Sequence, residues 1–157
     1  MTLFSQKLTT PIGELILTAN DSALTGIFYR LPKSLDMLRD TETPVLKQAK
    51  AQLVEYFACK RQHFDLPLEF QGTDFQKRVW QALLQIPYGE TRSYAQIAVQ
   101  VGSPKAVRAV GLANSKNPIS IIAACHRVIG SNKKLTGYAG GLPNKEYLLK
   151  LENASLA

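Results

Sequence analysis

Ser93-Tyr94-Ala95-Gln96-Ile97-Ala98-Val99-Gln100-Val101-Gly102-Ser103-Pro104-Lys105-Ala106-Val107-Arg108-Ala109-Val110-Gly111-Leu112-Ala113 reads as two short helices around a tight turn. Ser93 followed three residues later by Gln96 has the form of a capping box, in which the hydroxyl accepts from the N3 amide and the N3 side chain reaches back. Ile97, Ala98 and Val101 then share a face until Gly102 ends the run. Ser103-Pro104 supplies an N-cap and an N1 proline for a second helix through Ala106, Val107, Ala109, Val110 and Ala113. The pair predicts a helix-turn-helix. Small residues at Ala106, Gly111 and Ala113 beside the basic Lys105 and Arg108 suit close approach to a nucleic-acid backbone. An αα-hairpin buried in a core would show the same spacing, so charge has to separate the two. Residues 1–70 carry 8 Lys/Arg against 8 Asp/Glu, whereas residues 71–157 carry 11 against 4, and the whole net charge of +7 lies in the C-terminal part. A one-sided basic surplus is the footprint of a polyanion binder, although a surface kept soluble by charge would also produce it.

Upstream of this segment, Thr73-Asp74-Phe75-Gln76 is another capping box, and Phe75, Val79, Leu83 with Trp80, Leu84 repeat at i, i+4 until Ile86-Pro87-Tyr88-Gly89 stops the helix. The first 70 residues read differently. Leu3–Leu8, Gly13–Ala19 and Ala23–Tyr29 are short β-favouring segments separated by turns at Thr10–Gly13 and Asn20–Ser22, which predicts a three-stranded antiparallel meander. Val45, Leu46, Ala49, Leu53 and Phe57 then fall on one face of a helix from about Pro44 to Ala58, with Cys59 at its end read as structural. Residues 60–72 read as irregular, which divides the chain into a small α/β domain, 1–72, and a mainly helical domain, 73–157.

Downstream, the polar loop Asn114–Pro118 leads into Ile121-Ile122-Ala123-Ala124-Cys125-His126-Arg127-Val128-Ile129-Gly130, read as an apolar strand that delivers Cys125. A thiol acts as a nucleophile only as its thiolate, and His126 and Arg127 offer a base and a positive charge beside it. A buried, inert cysteine is the plain alternative. Thr136-Gly137-Tyr138-Ala139-Gly140-Gly141 is a glycine-rich loop that matches no phosphate-binding fingerprint and reads as the wall of a pocket. Pro143-Asn144-Lys145-Glu146 opens a last helix with Tyr147, Leu148 and Leu151 inward and Glu152 near its end. With two cysteines there is neither a disulfide framework nor a structural zinc set. The absence of a basic start followed by an apolar run argues for a reduced, cytoplasmic protein, and the longest apolar stretch is too short to span a bilayer.

Taken together, Thr73-Asp74-Phe75-Gln76 with Val79-Trp80, Ile86–Thr91, Ser93-Tyr94, Ala106–Gly111, Asn117-Pro118, Cys125–Val128 and Tyr138–Leu142 resemble the O6-alkylguanine-DNA alkyltransferases over nearly the whole chain. The resemblance implies an α/β (α+β) N-terminal domain of ribonuclease-H-like shape, then a mainly α-helical domain that binds DNA through its helix-turn-helix. It implies single-turnover transfer of the alkyl group from O6-alkylguanine, with O4-alkylthymine a further candidate, to Cys125, without a cofactor or metal. His126 would relay the thiol proton through a water, Glu152 would hold the histidine, and Tyr94 would protonate the departing base. Arg108 would fill the space left by the flipped nucleotide, with Ser93, Lys105, Ala106 and Ala109 also at the DNA. Asn117 would be the hinge of the active-site turn, Arg127 a structural residue, and Val128 with Tyr138, Ala139 and Gly140 the pocket. The partner is double-stranded DNA containing O6-alkylguanine, with no membrane, and a monomer is expected. The chain departs from the family pattern at Ala124 and Ser120, both commonly proline. A non-catalytic alkyl-lesion recognition protein and a Cys125-His126 thiol hydrolase are the alternatives.

Overall fold

The computed structural model describes residues 2–35, 38–132 and 136–153. The chain forms two compact units, Met1–Phe70 and Gln71–Ala157. In the first, β1 (Phe4–Thr10), β2 (Gly13–Ala19) and β3 (Leu24–Phe28) make the antiparallel meander, joined at Gly13, whose φ of +102° suits a residue without a side chain. The sheet has a further strand that was not expected: β4 (Arg39–Asp40) pairs parallel to β1, giving the order β3-β2-β1-β4. Two exposed residues carry no periodicity from which a strand could be read. Helix α1 (Pro44–Phe57), capped by the Thr43 hydroxyl, lays Leu46, Ala49, Leu53 and Tyr56 over the sheet, where Leu15, Leu17, Leu24 and Ile27 are fully buried. Each such side chain removed from water contributes about 1.5–3 kcal/mol. Cys59 is no core residue: it is exposed and has φ +59°, where it closes α1 as Lys60 N–H donates to Glu55 O at 2.8 Å.

The second unit is built on α2 (Asp74–Leu84), α3 (Tyr94–Gln100) and α4 (Val107–Ser115), which pack on one another. Both capping boxes form with both reciprocal bonds, at Thr73 with Gln76 and at Ser93 with Gln96. The Trp80 indole donates to Ala113 O at 2.9 Å, pinning α2 to α4. Ser103-Pro104, however, does not start α4. Gly102, at φ +81°, and the Ser103 amide, which donates to Ala98 O at 2.9 Å, complete the C-terminal cap of α3. The chain then makes one more turn, Ala106 N–H to Ser103 O, and α4 begins at Val107 with no side-chain cap.

Nor is there a strand before Cys125. Residues 119–129 are buried throughout, but the run reverses on itself: Ile121 has φ +75°, Ile122 N–H donates to Ser120 O, and Ala123 N–H donates to Ile119 O. A 3₁₀ turn, Cys125–Arg127, follows, and only β6 (Val128–Ile129) is extended, parallel to β5 (Arg92–Ser93). β-Branched residues favour a strand locally, and tertiary contacts override that preference here. Helix α5 (Leu142–Leu151) packs against the 3₁₀ turn with Lys145, Leu148 and Leu149 buried, whereas Tyr147, expected inward, is 38% exposed.

Candidate active site

The parallel pairing of β5 with β6 joins the start of α3, where Tyr94 stands, to the segment after Cys125, although 30 residues separate Tyr94 from Cys125 in sequence. Cys125 is 3% exposed. Burial pushes its thiol up, opposed by a hydrogen bond from the Asn117 side chain, the positive charge of Lys145, a hydrogen bond from Ser120 and the backbone of its own turn. A thiol so placed rests protonated and needs a base. Arg127 does not serve as the charge beside the thiol but takes the structural place that the resemblance implies: Nε donates to Glu152 Oε1 at 2.8 Å, Nη2 to Glu152 Oε2 at 3.0 Å and Nη1 to Ile86 O at 2.6 Å.

Glu152, 2% exposed, also bonds His126 Nε2 through Oε2 at 2.8 Å and accepts from Gly89 N–H at 3.4 Å. Burial alone would raise this carboxyl, but the bonds and charges of His126 and Arg127 hold it well below the usual carboxylate range. Gly89, at φ +80°, belongs where a Cβ would come within 3.1 Å of Glu152 O. An ionised carboxylate only accepts, so Nε2 of His126 carries the proton and Nδ1 presents the lone pair. Burial lowers His126 below its ordinary 6.5, against the pull of Glu152, which keeps the imidazole neutral at pH 7. Nδ1 is buried and has no hydrogen-bond partner among the described residues. A neutral, oriented imidazole with one uncommitted basic nitrogen is the form a general base takes.

Asn117 closes the active-site turn. Its Nδ2 donates to Ala123 O at 2.7 Å and its Oδ1 accepts from Ile119 N–H at 3.0 Å, while its own amide bonds Asn114 O at the end of α4. These bonds span Ile121, a β-branched residue in the left-handed region, a conformation that costs about 1–3 kcal/mol and persists only where its surroundings enforce it. Ala124 has φ −79°, within the range proline adopts, and its N–H donates to no acceptor among the described residues. Ala124→Pro is therefore expected to stabilise the protein by about 0.4–1 kcal/mol through the unfolded chain, read as a higher urea midpoint with an unchanged slope.

Tyr94 lines a pocket of about 360 Å³ with Gly111, Asn114, Ser115, Gly137, Tyr138 and Ala139. Asn114 Oδ1 is buried there without a partner among the described residues. On α4, Arg108, Ala109 and Leu112 are exposed, with Lys105 exposed just before it and Ala106 half-buried, so the residues read as DNA-contacting form a basic surface of little bulk. No aspartate or glutamate occurs from Thr91 to Lys145. Sequence reasoning missed Lys145, fully buried with Nζ donating to Val128 O at 2.6 Å. The signal was present: Lys145, Leu148, Leu149 and Glu152 stand at i, i+3, i+4 and i+7, which puts two charged residues on an apolar face. Among the described residues no group of three or more His, Cys, Asp or Glu could hold a metal, and no helix is long and apolar enough to cross a membrane.

A buried cysteine followed directly by a carboxylate-held, neutral histidine is an arrangement suited to proteins that do chemistry through a cysteine nucleophile. Within that class, residues 3–70 match the family model "6-O-methylguanine DNA methyltransferase, ribonuclease-like domain" and residues 74–154 match "6-O-methylguanine DNA methyltransferase, DNA binding domain". The chain is 52% identical over 150 residues to the methylated-DNA–protein-cysteine methyltransferase of Methanosarcina barkeri, covering 94% of this chain and 95% of that one. It is 52% identical over 153 residues to the constitutive methylated-DNA–protein-cysteine methyltransferase of Bacillus subtilis, covering 93% of each. The crystal structure of Mycobacterium tuberculosis O6-methylguanine methyltransferase superposes with a TM-score of 0.90 at 48% identity, covering 97% of this chain and 93% of that chain. Mycobacterium tuberculosis OGT in complex with DNA superposes with a TM-score of 0.89 at 48% identity, covering 98% and 93%. The chain belongs to the 6-O-methylguanine DNA methyltransferase family.

Proposed function

We propose that this protein repairs O6-alkylguanine in double-stranded DNA by direct transfer of the alkyl group to Cys125, once per molecule. The observation that carries the reading is the buried thiol in a turn with His126, whose Nδ1 lone pair is uncommitted while Glu152 holds Nε2 at 2.8 Å. The basic, small-residue surface of α4 meets the duplex, Arg108 enters the stack, and the damaged nucleotide swings out at a cost of a few kcal/mol, less for a poorly paired base. Ser93, Lys105, Ala106 and Ala109 position the backbone, and the nucleotide enters the pocket that Tyr94 lines with Tyr138 and Ala139, whereas Val128, read as part of its wall, is fully buried and Gly140 is not among the lining residues. His126 Nδ1 takes the thiol proton through a bridging water, and the imidazolium is stabilised by Glu152. The thiolate attacks the alkyl carbon, the carbon–O6 bond breaks, and Tyr94 protonates the departing guanine. A thioether is no leaving group at neutral pH, so the protein is spent, and no cofactor takes part. O4-alkylthymine, whose oxygen occupies an equivalent position, is a second substrate, and the protein acts as a monomer in the cytoplasm.

Support comes from the geometry and from relatives of about half identity named for this transfer. The test is the repair of duplex DNA carrying one O6-methylguanine without added cofactor. Repaired base is expected to saturate at one per protein, and Cys125→Ala is expected to bind the duplex but repair none. Repeated turnover would point to a hydrolase, and tight binding by wild type without repair to a lesion-recognition protein.

A further inference from the structure

Lys145 is fully buried in the second unit, yet the alkyl transfer written above gives it no task. An ammonium has three hydrogens to donate and no lone pair to accept with. Three oxygens lie within reach of Nζ: Val128 O at 2.6 Å, Thr136 O at 3.3 Å and Thr136 Oγ1 at 3.4 Å. Thr136 Oγ1 in turn stands 2.5 Å from the Tyr94 hydroxyl. With the Thr136 oxygen accepting from the ammonium, its own hydrogen can follow that 2.5 Å line to the tyrosine oxygen, and the phenolic hydrogen is left for the pocket that Tyr94 lines. Donors in such a chain polarise one another in a single direction.

We propose that Thr136 and Lys145 form a proton relay behind Tyr94, which orients the phenol toward the flipped base and resupplies the proton it gives up. The relay rests on the reading that Tyr94 protonates the leaving guanine. As the Cys125 sulfur bonds to the alkyl carbon, the carbon–O6 bond breaks and its electron pair stays on guanine. Tyr94 gives its proton to the base, Thr136 gives one to the phenolate, and Lys145 gives one to Thr136. Guanine leaves neutral, the tyrosine and threonine are restored, and the lysine ends as a neutral amine that solvent reprotonates; the original thiol proton rests on His126. Burial lowers the Lys145 ammonium to about 8, while the charge of Cys125 works to raise it. Conversion of the thiolate to a neutral thioether removes that support, so Lys145 becomes a stronger acid at the stage when the leaving group requires a proton. Both Thr136 and Lys145 act through Tyr94 and are positioning residues.

Single-turnover transfer from O6-methylguanine duplex is measured from pH 6 to 9.5 for wild type, Thr136→Val, Thr136→Ser, Tyr94→Phe and the Tyr94→Phe/Thr136→Val double variant, with folding checked by Trp80 fluorescence. Thr136→Val is expected to be about tenfold slower, at or below the lower edge of acid–base effects, with Thr136→Ser close to wild type. In the double variant the valine is expected to add nothing to the loss from Tyr94→Phe. The wild-type rate is expected to fall above pH about 8 as Lys145 loses its proton, and Thr136→Val to lack that decline. Cys125 and His126 also face Lys145 from the turn packed on α5, so the comparison between variants assigns the alkaline limb. Thr136→Val at the wild-type rate, an equal fold-loss with and without the Tyr94 hydroxyl, or failure of serine to restore the rate would overturn the relay alone. Tyr94→Phe at full rate would remove the tyrosine's role and the relay with it, and no methyl transfer by wild type would sink the repair reading itself.

Discussion

His126→Phe is expected to slow alkyl transfer by about 10²–10⁴-fold while leaving affinity for the damaged duplex unchanged, because the change removes the one basic nitrogen able to take the thiol proton. The variant should also change the pH dependence. Burial pushes the Cys125 thiol up, so without a base the thiolate is scarce at neutral pH and the rate should climb tenfold per pH unit up to about pH 8, following the free thiolate, and flatten above it as Lys145 loses its proton. Wild type should instead be level from about pH 6.5, above the lowered titration of His126, to about pH 8. Single-turnover rates on a lesion duplex between pH 6 and 9.5 measure both effects. A variant within about threefold of wild type at pH 7 would show that the histidine is not the base, since general-base groups contribute far more than that.

Glu152→Ala is expected to be the most destabilising single change in the site. It leaves the Arg127 guanidinium, 6% exposed, without the carboxylate that meets both Nε and Nη2, and it frees His126 Nε2. Breaking one side of a buried pair costs about 3–5 kcal/mol, a large part of the roughly 5–15 kcal/mol by which a domain is stable. Trp80, the single tryptophan, is buried in the same unit as Glu152, so its fluorescence reports the affected transition in urea. The sign with pH follows from the depressed carboxyl. Its stabilisation is fully present above the unfolded-state value near 4.3 and is lost as pH falls below it. Wild type should therefore lose stability between about pH 5 and 3, and Glu152→Ala should lose less over the same range because it no longer has that carboxyl to protonate. Equal losses in both proteins would mean that Glu152 is not held ionised by its partners.

Local chemistry made some of this structure readable. Thr73 with Gln76 and Ser93 with Gln96 are four-residue patterns whose bonds form within the pattern itself, and both boxes are present. The α1 face of Leu46, Ala49 and Leu53 followed from helical period alone, as did the meander from its turns. Tertiary demands hid the rest. Ser103 looked like an N-cap, but its amide is used to end the preceding helix. The apolar run before Cys125 has the composition of a strand, but Asn117 holds it in a reversal through Ile121. In the site, Cys125 and His126 could be picked out because they are adjacent in sequence. The pairing of His126 and Arg127 with a carboxylate 25 or 26 residues away, and of Tyr94 with Thr136 42 residues away, left no local trace. Lys145 was legible in principle, as a charge on the inward stripe of α5, but a lysine on a helix is so often solvated that its burial becomes visible only once Val128 and Thr136 are placed around it.

In the proposed reaction Cys125 keeps the alkyl group. Intact-mass measurement after incubation with a duplex containing one O6-methylguanine, followed by peptide mapping, tests it directly in wild type and Cys125→Ala. The expected result is a gain of one methyl, about 14 Da, on the peptide carrying Cys125, equal in amount to the guanine restored and absent from the variant, as covalent capture by a nucleophile requires. Restored guanine with no mass gain, or a methyl group found on the exposed Cys59 instead, would contradict it.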